Sequence, residues 1–311
     1  VDAVYIANHY DAPVLEKGEE TRTVGSAYMT GTDMARDEFG IDGSGIVIAV
    51  LDTGLNTTHE AFRDADGNCA ANGRLTEADT ALTAAAGTYL NAKVPFAYDY
   101  ADKDTDVTDY QGHGTHVSGI AAGCAYDKES GKYTFVGAAP GAQLVSMKIF
   151  HDDEGGTSSD IYFYALEDAY RLGVDVVNMS IGAQNGFTYD ADLETEVFGN
   201  IYKRLSASGI VLSVAAGNEY SMAEYSSAQF IGPEYQDYGT VASPSTYIGS
   251  TSVASVENVS YPANVVSVGE DNFSYTDSCK DEDMMWLNVF GDKEVEFVAV
   301  PDVGGTNTKS K

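Results

Sequence analysis

Four largely apolar runs constrain this chain most: Ile46-Val47-Ile48-Ala49-Val50-Leu51, Leu144-Val145-Ser146-Met147-Lys148-Ile149, Val174-Asp175-Val176-Val177-Asn178-Met179 and Ile210-Val211-Leu212-Ser213-Val214-Ala215. The first is continuously apolar, as in a strand buried on both faces of a sheet. Helical spacing at about 160–172 and 191–207 separates the later runs. Strands alternating with helices predict an α/β fold built on a parallel sheet with helices on both faces. Each of three runs leads into a short polar block: Asp52-Thr53-Gly54, Ser180-Ile181-Gly182 and Ala216-Gly217-Asn218-Glu219. In a parallel sheet these strand ends share one rim, the edge where α/β proteins place their chemistry.

A candidate base lies between the first two runs, in Gly112-His113-Gly114-Thr115-His116-Val117-Ser118-Gly119. Glycines around His113 leave room for close approach to the imidazole, and Val117, Ile120, Ala121 and Ala122 suggest a helix buried under the sheet. Imidazole takes and returns a proton near neutrality. His113 and His116, three residues apart, also suit one helix face as a metal pair. A zinc-hydrolase helix would place a glutamate after the first histidine, where this chain has Gly114.

The remaining segments carry weaker signals. Gly40, Gly43 and Gly45 precede the first strand, whereas a dinucleotide-binding fingerprint needs its glycines after it. A helix is expected over 28–38, a strand over 93–100, loops over 101–109 and 126–133, and strand-like stretches over 251–256 and 261–269. The acidic run Asp152-Asp153-Glu154 reads as a solvated loop, or as a surface favouring basic residues upstream of a cut bond.

Composition narrows the partners. With 17 Lys+Arg against 48 Asp+Glu, the formal net charge of −31 repels nucleic acid and anionic membranes. No apolar run is long enough for a membrane-spanning helix. The three cysteines, Cys69, Cys124 and Cys279, are too few for a disulfide framework and allow one pair.

Asp52, His113 and Asn218 have complementary chemistry. A carboxylate can fix an imidazole's tautomer, and an amide can donate a hydrogen bond to a developing oxyanion. Together with their flanks Val50-Leu51-Asp52-Thr53-Gly54, Gly112 to Gly119, and Ala215-Ala216-Gly217-Asn218-Glu219, and with Val177-Asn178-Met179-Ser180-Ile181-Gly182, they resemble the subtilisin-like serine peptidases, the lactocepin-type cell-envelope proteinases in particular. The resemblance covers about residues 26–260. It implies a three-layer α/β fold, incomplete at its C-terminal end, and a serine endopeptidase working through an acyl-enzyme. By carry-over, Asp52 orients, His113 is the general base and then acid, and Asn218 donates to the oxyanion. Ser180, Ile181 and Gly182 pair with the substrate backbone. Ala215, Ala216 and Gly217 wall the pocket for the side chain before the cut bond, leaving room for a sizeable apolar group.

The family's nucleophile block, a Gly-Thr-Ser followed by Met or Leu and Ala and opening a helix, does not occur in the sequence. Ser252, in Ser250-Thr251-Ser252-Val253-Ala254, is its nearest look-alike but sits in a strand-like run. The expectation is therefore a piece of a secreted or cell-wall-associated peptidase cut before its serine and inactive alone. Residues 1–25 would be a lead-in that includes a propeptide remnant, 26–270 the peptidase domain and 271–311 the start of a protease-associated insert. Partners are a protein or peptide substrate and the chain's own propeptide. Ala61 stands where many relatives place a calcium-ligating aspartate, so no metal site of that type is expected, although the acidic surface can hold calcium elsewhere. Two other readings stay open: a non-catalytic peptide-binding relative, and a metal hydrolase built on His113 and His116.

Overall fold

The computed structural model describes residues 9–11, 23–63, 69, 72–127, 129, 132–152, 156–182, 198–218, 241–256, 264–268 and 271–275. The chain divides into two units, one of residues 1–17 and 22–259 and the other of residues 18–21 and 260–311. Within the second, strands β11 (Asn264–Val268) and β12 (Asp271–Tyr275) form an antiparallel hairpin.

The first unit is built on six parallel strands. In chain order these are β2 (Val47–Asp52), β3 (Phe96–Asp99), β6 (Gln143–Lys148), β8 (Val176–Met179), β9 (Val211–Ala215) and β10 (Ser250–Val253). Across the sheet they run β10-β9-β8-β2-β6-β3. Every residue of β2 is buried, as its continuous apolar run requires. Alternation along β2 divides the interior into two cores. Val47, Ala49 and Leu51 face α4 (Ser159–Leu172) and α5 (Gly199–Ala207), through Tyr162, Ala165, Leu166, Tyr202 and Leu205. Ile48 and Val50 face the side of α3 (His113–Ala122), with Phe62, Ala122 and Leu144.

This division has a topological consequence. The steps β3→α3→β6 and β6→α4→β8 cross the sheet in the same direction, yet α3 and α4 lie on opposite faces. The two crossovers therefore have opposite hands, and one departs from the usual right-handed rule. The placement of α3 on the face of Ile48 and Val50 puts its N-terminus on the side to which Asp52 points.

Several expectations change. The helix expected over 28–38 is two helices, α1 (Thr23–Thr30) and α2 (Thr32–Phe39), broken at Gly31, where φ is 74°. Residues 126–133 do not form a simple loop, because β4 (Cys124–Asp127) and β5 (Lys132–Val136) make a hairpin. Tyr126 and Tyr133 pair across it edge to face, 5.2 Å between centroids, a contact hidden by the charged residues between them. The strand expected over 93–100 shortens to β3. Lys93 is fully buried, its Nζ donating to the carbonyl oxygens of Pro140, at 2.7 Å, and Ala142. On α3 the buried face is Gly114, Ser118, Gly119 and Ala122, whereas Ile120 is exposed. Cys69 and Cys124 form a disulfide at the far end of α3. Residues 1–8, 183–197 and 276–311, with the expectations that fall on them, lie outside the described residues.

Candidate active site

Asp52 closes β2 and is 1% exposed. Its Oδ1 lies 2.7 Å from Nδ1 of His113, the first residue of α3, and accepts the Thr53 backbone N–H at 2.7 Å. The imidazole is 17% exposed, so its other nitrogen is on the open side of the pair. A donor on Nδ1 facing a buried carboxylate fixes the ring's tautomer and leaves Nε2 as the proton acceptor.

The approach that brings these groups together depends on two glycines. Gly54 adopts a φ of 124°, and a Cβ there would press on the Val107 carbonyl, to which Leu55 N–H donates at 2.7 Å. A Cβ on Gly114 would collide with the Gly54 carbonyl and lie 3.1 Å from the Cβ of Asp52. Backbone cannot yield as a flexible side chain can, so α3 reaches the end of β2 only with hydrogen at both positions.

Asp109 does the tying. Its carboxylate accepts from Thr53 Oγ1 at 2.9 Å, Gly112 N–H at 2.8 Å, Gln111 N–H at 3.2 Å, and the Thr115 N–H and hydroxyl at 2.8 and 2.6 Å. Thr53 Oγ1 in turn accepts Gly114 N–H at 2.8 Å, completing a bridge from β2 to the first turn of α3. Gly112, the N-cap, has no side chain with which to cap the helix, and Asp109 supplies the missing acceptor. Burial pushes the Asp109 carboxyl up, but the bonds from Thr115, Gly112 and Thr53 outweigh it and hold the group below its ordinary value. Sequence reading passed over Asp109 as one aspartate in an acidic loop. Its position four residues before His113 was the available signal.

The other blocks occupy the same rim through strand register. Leu51 is level with Met179, and Met179 with Val214, so Asp52, Ser180 and Ala215 lie at corresponding steps of adjacent strands. Asn178 Nδ2 donates to Ser180 Oγ at 3.0 Å, Ile181 is buried, and Gly182 is exposed. Ala215 and Ala216 are half-buried, while Gly217 and Asn218 are exposed just past the end of β9. Ala242, unmarked in the sequence, joins the two blocks. Its N–H donates to the Ala216 carbonyl at 2.7 Å, and its Cβ lies 3.0 Å from where a Cβ on Gly182 would be. Ser252 is in mid-strand on β10, level with Val214, with its hydroxyl donating to Ser245 Oγ at 3.1 Å.

A second charged group lies beside the first. Lys148 ends β6, level with Asp52 on one neighbouring strand and Asp99 on the other. Asp99, Asp102 and Asp152 bring carboxylate oxygens within 4.8 Å of one another, the only such group of three metal-type ligands among the described residues. The Lys148 ammonium already serves it as cation, 3.0 Å from Asp99 and in contact with Asp152. Burial favours neutral Lys148, but Asp152 and Asp99 outweigh it and raise its pKa. Asp99 is also raised, because its burial exceeds what the Asp102 N–H and Lys148 return. His116 is exposed, and Nδ1 of His113 is engaged by Asp52, so the two histidines do not form a metal pair through that nitrogen.

Away from this rim, a groove of about 610 Å³ between α4 and α5 is lined by Phe163, Tyr164, Leu166, Tyr170, Ile201 and Leu205. No rim residue borders it.

Comparison with known proteins gives a consistent result. Residues 43–296 match the model of the subtilase family. The chain is 32% identical over 280 residues to the PIII-type proteinase of Lactococcus lactis subsp. cremoris (strain SK11), an alignment covering 83% of this chain and 14% of that protein. The PII-type proteinase of Lacticaseibacillus paracasei has the same identity and coverage. The C5a peptidase of Streptococcus pyogenes is 32% identical over 216 residues, 68% of this chain and 18% of that protein. The chain thus spans less than a fifth of the length of these relatives.

Proposed function

Because this chain belongs to the subtilase family, we propose that its sheet rim is the acid–base and substrate-holding part of a serine endopeptidase. The observation that carries this is the 2.7 Å contact of a buried Asp52 carboxylate with Nδ1 of His113. Asp52 holds the ring and stabilises it once protonated, and Nε2 takes the proton of an attacking hydroxyl and returns it to the leaving amine. Asn218 donates to the oxyanion of the tetrahedral intermediate. Ser180, Ile181 and Gly182 offer backbone to an extended peptide, and Ala215, Ala216, Gly217 and Ala242 line the pocket for the side chain before the cut bond. The serine assigned as nucleophile belongs to a block of Gly-Thr-Ser followed by Met or Leu and Ala, and these 311 residues contain no such block.

The described residues supply one model of an extended ligand. Strand β1 (His9–Asp11) pairs antiparallel with β7 (Gly156–Ser158), His9 opposite Ser158 and Asp11 opposite Gly156. This supports reading the N-terminal segment as a propeptide end that covers the edge offered to substrate. The Cys69–Cys124 disulfide supports an oxidising, extracellular setting.

The test is to express the coding sequence through its downstream continuation and assay peptide-bond hydrolysis. Activity should be abolished by a serine-directed phosphonate and by His113→Ala. Hydrolysis that survives His113→Ala contradicts the assignment, and a continuation with no Gly-Thr-Ser block favours a peptide-binding relative without catalysis.

A further inference from the structure

We propose that Lys148 is a positioning residue for β7, the strand edge that accepts an extended peptide. The inference rests on the reading of β7 given above. Lys148 is 2% exposed and takes no part in the proton transfers assigned to Asp52 and His113. Its ammonium joins two parts of the chain: Asp99 at the end of β3, and Asp152 in the loop that leads from β6 to β7. The ring of Tyr110, three residues before His113, covers it at 5.4 Å from the centroid.

The loop depends on this cluster. His151 N–H donates to the Gly156 carbonyl at 3.1 Å, closing the loop's base at the first residue of β7. Nδ1 of His151 lies 2.7 Å from Asp102 Oδ1, and Asp152 N–H donates to Asp102 Oδ2 at 3.2 Å. Asp102 is itself tied back, its N–H donating to Asp99 Oδ1 at 3.0 Å. Three carboxylates within 4.8 Å repel one another strongly unless a cation sits among them. Removing the ammonium therefore does more than loosen a contact. It turns an attraction into a repulsion that drives Asp152, and β7 behind it, away from the sheet. Arginine keeps the charge and methionine does not, so the two substitutions separate charge from side-chain bulk.

Amide hydrogen exchange on the 311-residue chain tests this without requiring catalysis, so a failed peptidase assay does not decide it. In Lys148→Met, the amides of 156–158 and 9–11 should exchange at least tenfold faster than in the parent, with β2 and β8 unchanged. Lys148→Arg should stay within about threefold of the parent. Asp152→Asn, at an exposed position, leaves the Lys148–Asp99 pair in place and removes the tether without adding repulsion, so 156–158 should exchange faster than in the parent but less so than in Lys148→Met. It decides the matter if Lys148→Met fails to fold. Unchanged exchange at 156–158 in both Lys148→Met and Asp152→Asn overturns the proposal. So does loss of protection throughout the sheet in Lys148→Met when Asp152→Asn leaves 156–158 as in the parent, since Lys148 would then serve only the sheet.

Discussion

The two sides of the rim are built differently. Around Asp52 and His113, side chains do the holding: five hydrogen bonds converge on Asp109, and two glycines permit an approach that any Cβ would block. Around Ser180–Gly182 and Ala215–Gly217, strand register and backbone hydrogen bonds do most of it, with small residues keeping a surface open. Proton transfer requires fixed side-chain geometry. Pairing with a peptide of arbitrary sequence requires exposed backbone, and a bulky side chain there would only obstruct it.

If this contrast is right, substitutions on the two sides should differ in size. Gly114→Ala should cost the most, about 3 kcal/mol of unfolding free energy in a urea titration, because the new Cβ meets backbone. Asp109→Asn comes next, at about 2 kcal/mol near neutral pH, since an amide cannot accept all the donors that the carboxylate serves. Its pH dependence sharpens the point. Asp109 has a lowered pKa in the folded chain, so its stabilisation is complete above the ordinary aspartate value of 3.8 and is lost as pH falls through the folded pKa. The stability gap between the parent and the Asp109→Asn variant should therefore narrow as pH drops below 3.8. A gap that widens on acidification contradicts this account of Asp109. Ser180→Ala, on the other side, loses one hydrogen bond from Asn178 and should cost only about 0.5–1 kcal/mol. A loss there as large as that from Gly114→Ala would erase the distinction.

The same contrast decides what could be read from the sequence. The β2 run, its terminal Asp52 and the glycine-flanked His113 were legible because strand burial and close backbone approach each demand particular residue types. The sharing of one rim followed from the parallel sheet. Other features depended on contacts remote in sequence. Ile120 fits the helical apolar period but is exposed, whereas the buried residues of α3 are Gly114, Ser118, Gly119 and Ala122, and at Gly114 a Cβ would collide with the Gly54 backbone beside Asp52. Lys148 stands in an apolar strand run with nothing beside it in sequence to mark its pairing with Asp99 and Asp152. The β4–β5 hairpin was obscured by charged residues flanking the Tyr126–Tyr133 pair. Ala242 carried no signal of its own, since its role comes from packing between Ala216 and Gly182.

The central claim is that a buried carboxylate sets the tautomer of one histidine, and nitrogen-15 NMR of the imidazole side chains reports on this directly in the 311-residue chain. Neutral His113 should carry its proton on Nδ1, strongly deshielded, with Nε2 unprotonated. In Asp52→Ala that resonance should disappear while the tautomers of the other histidines stay as they were. A His113 ring protonated on Nε2 in the parent, or an Nδ1 proton unaffected by Asp52→Ala, would contradict it.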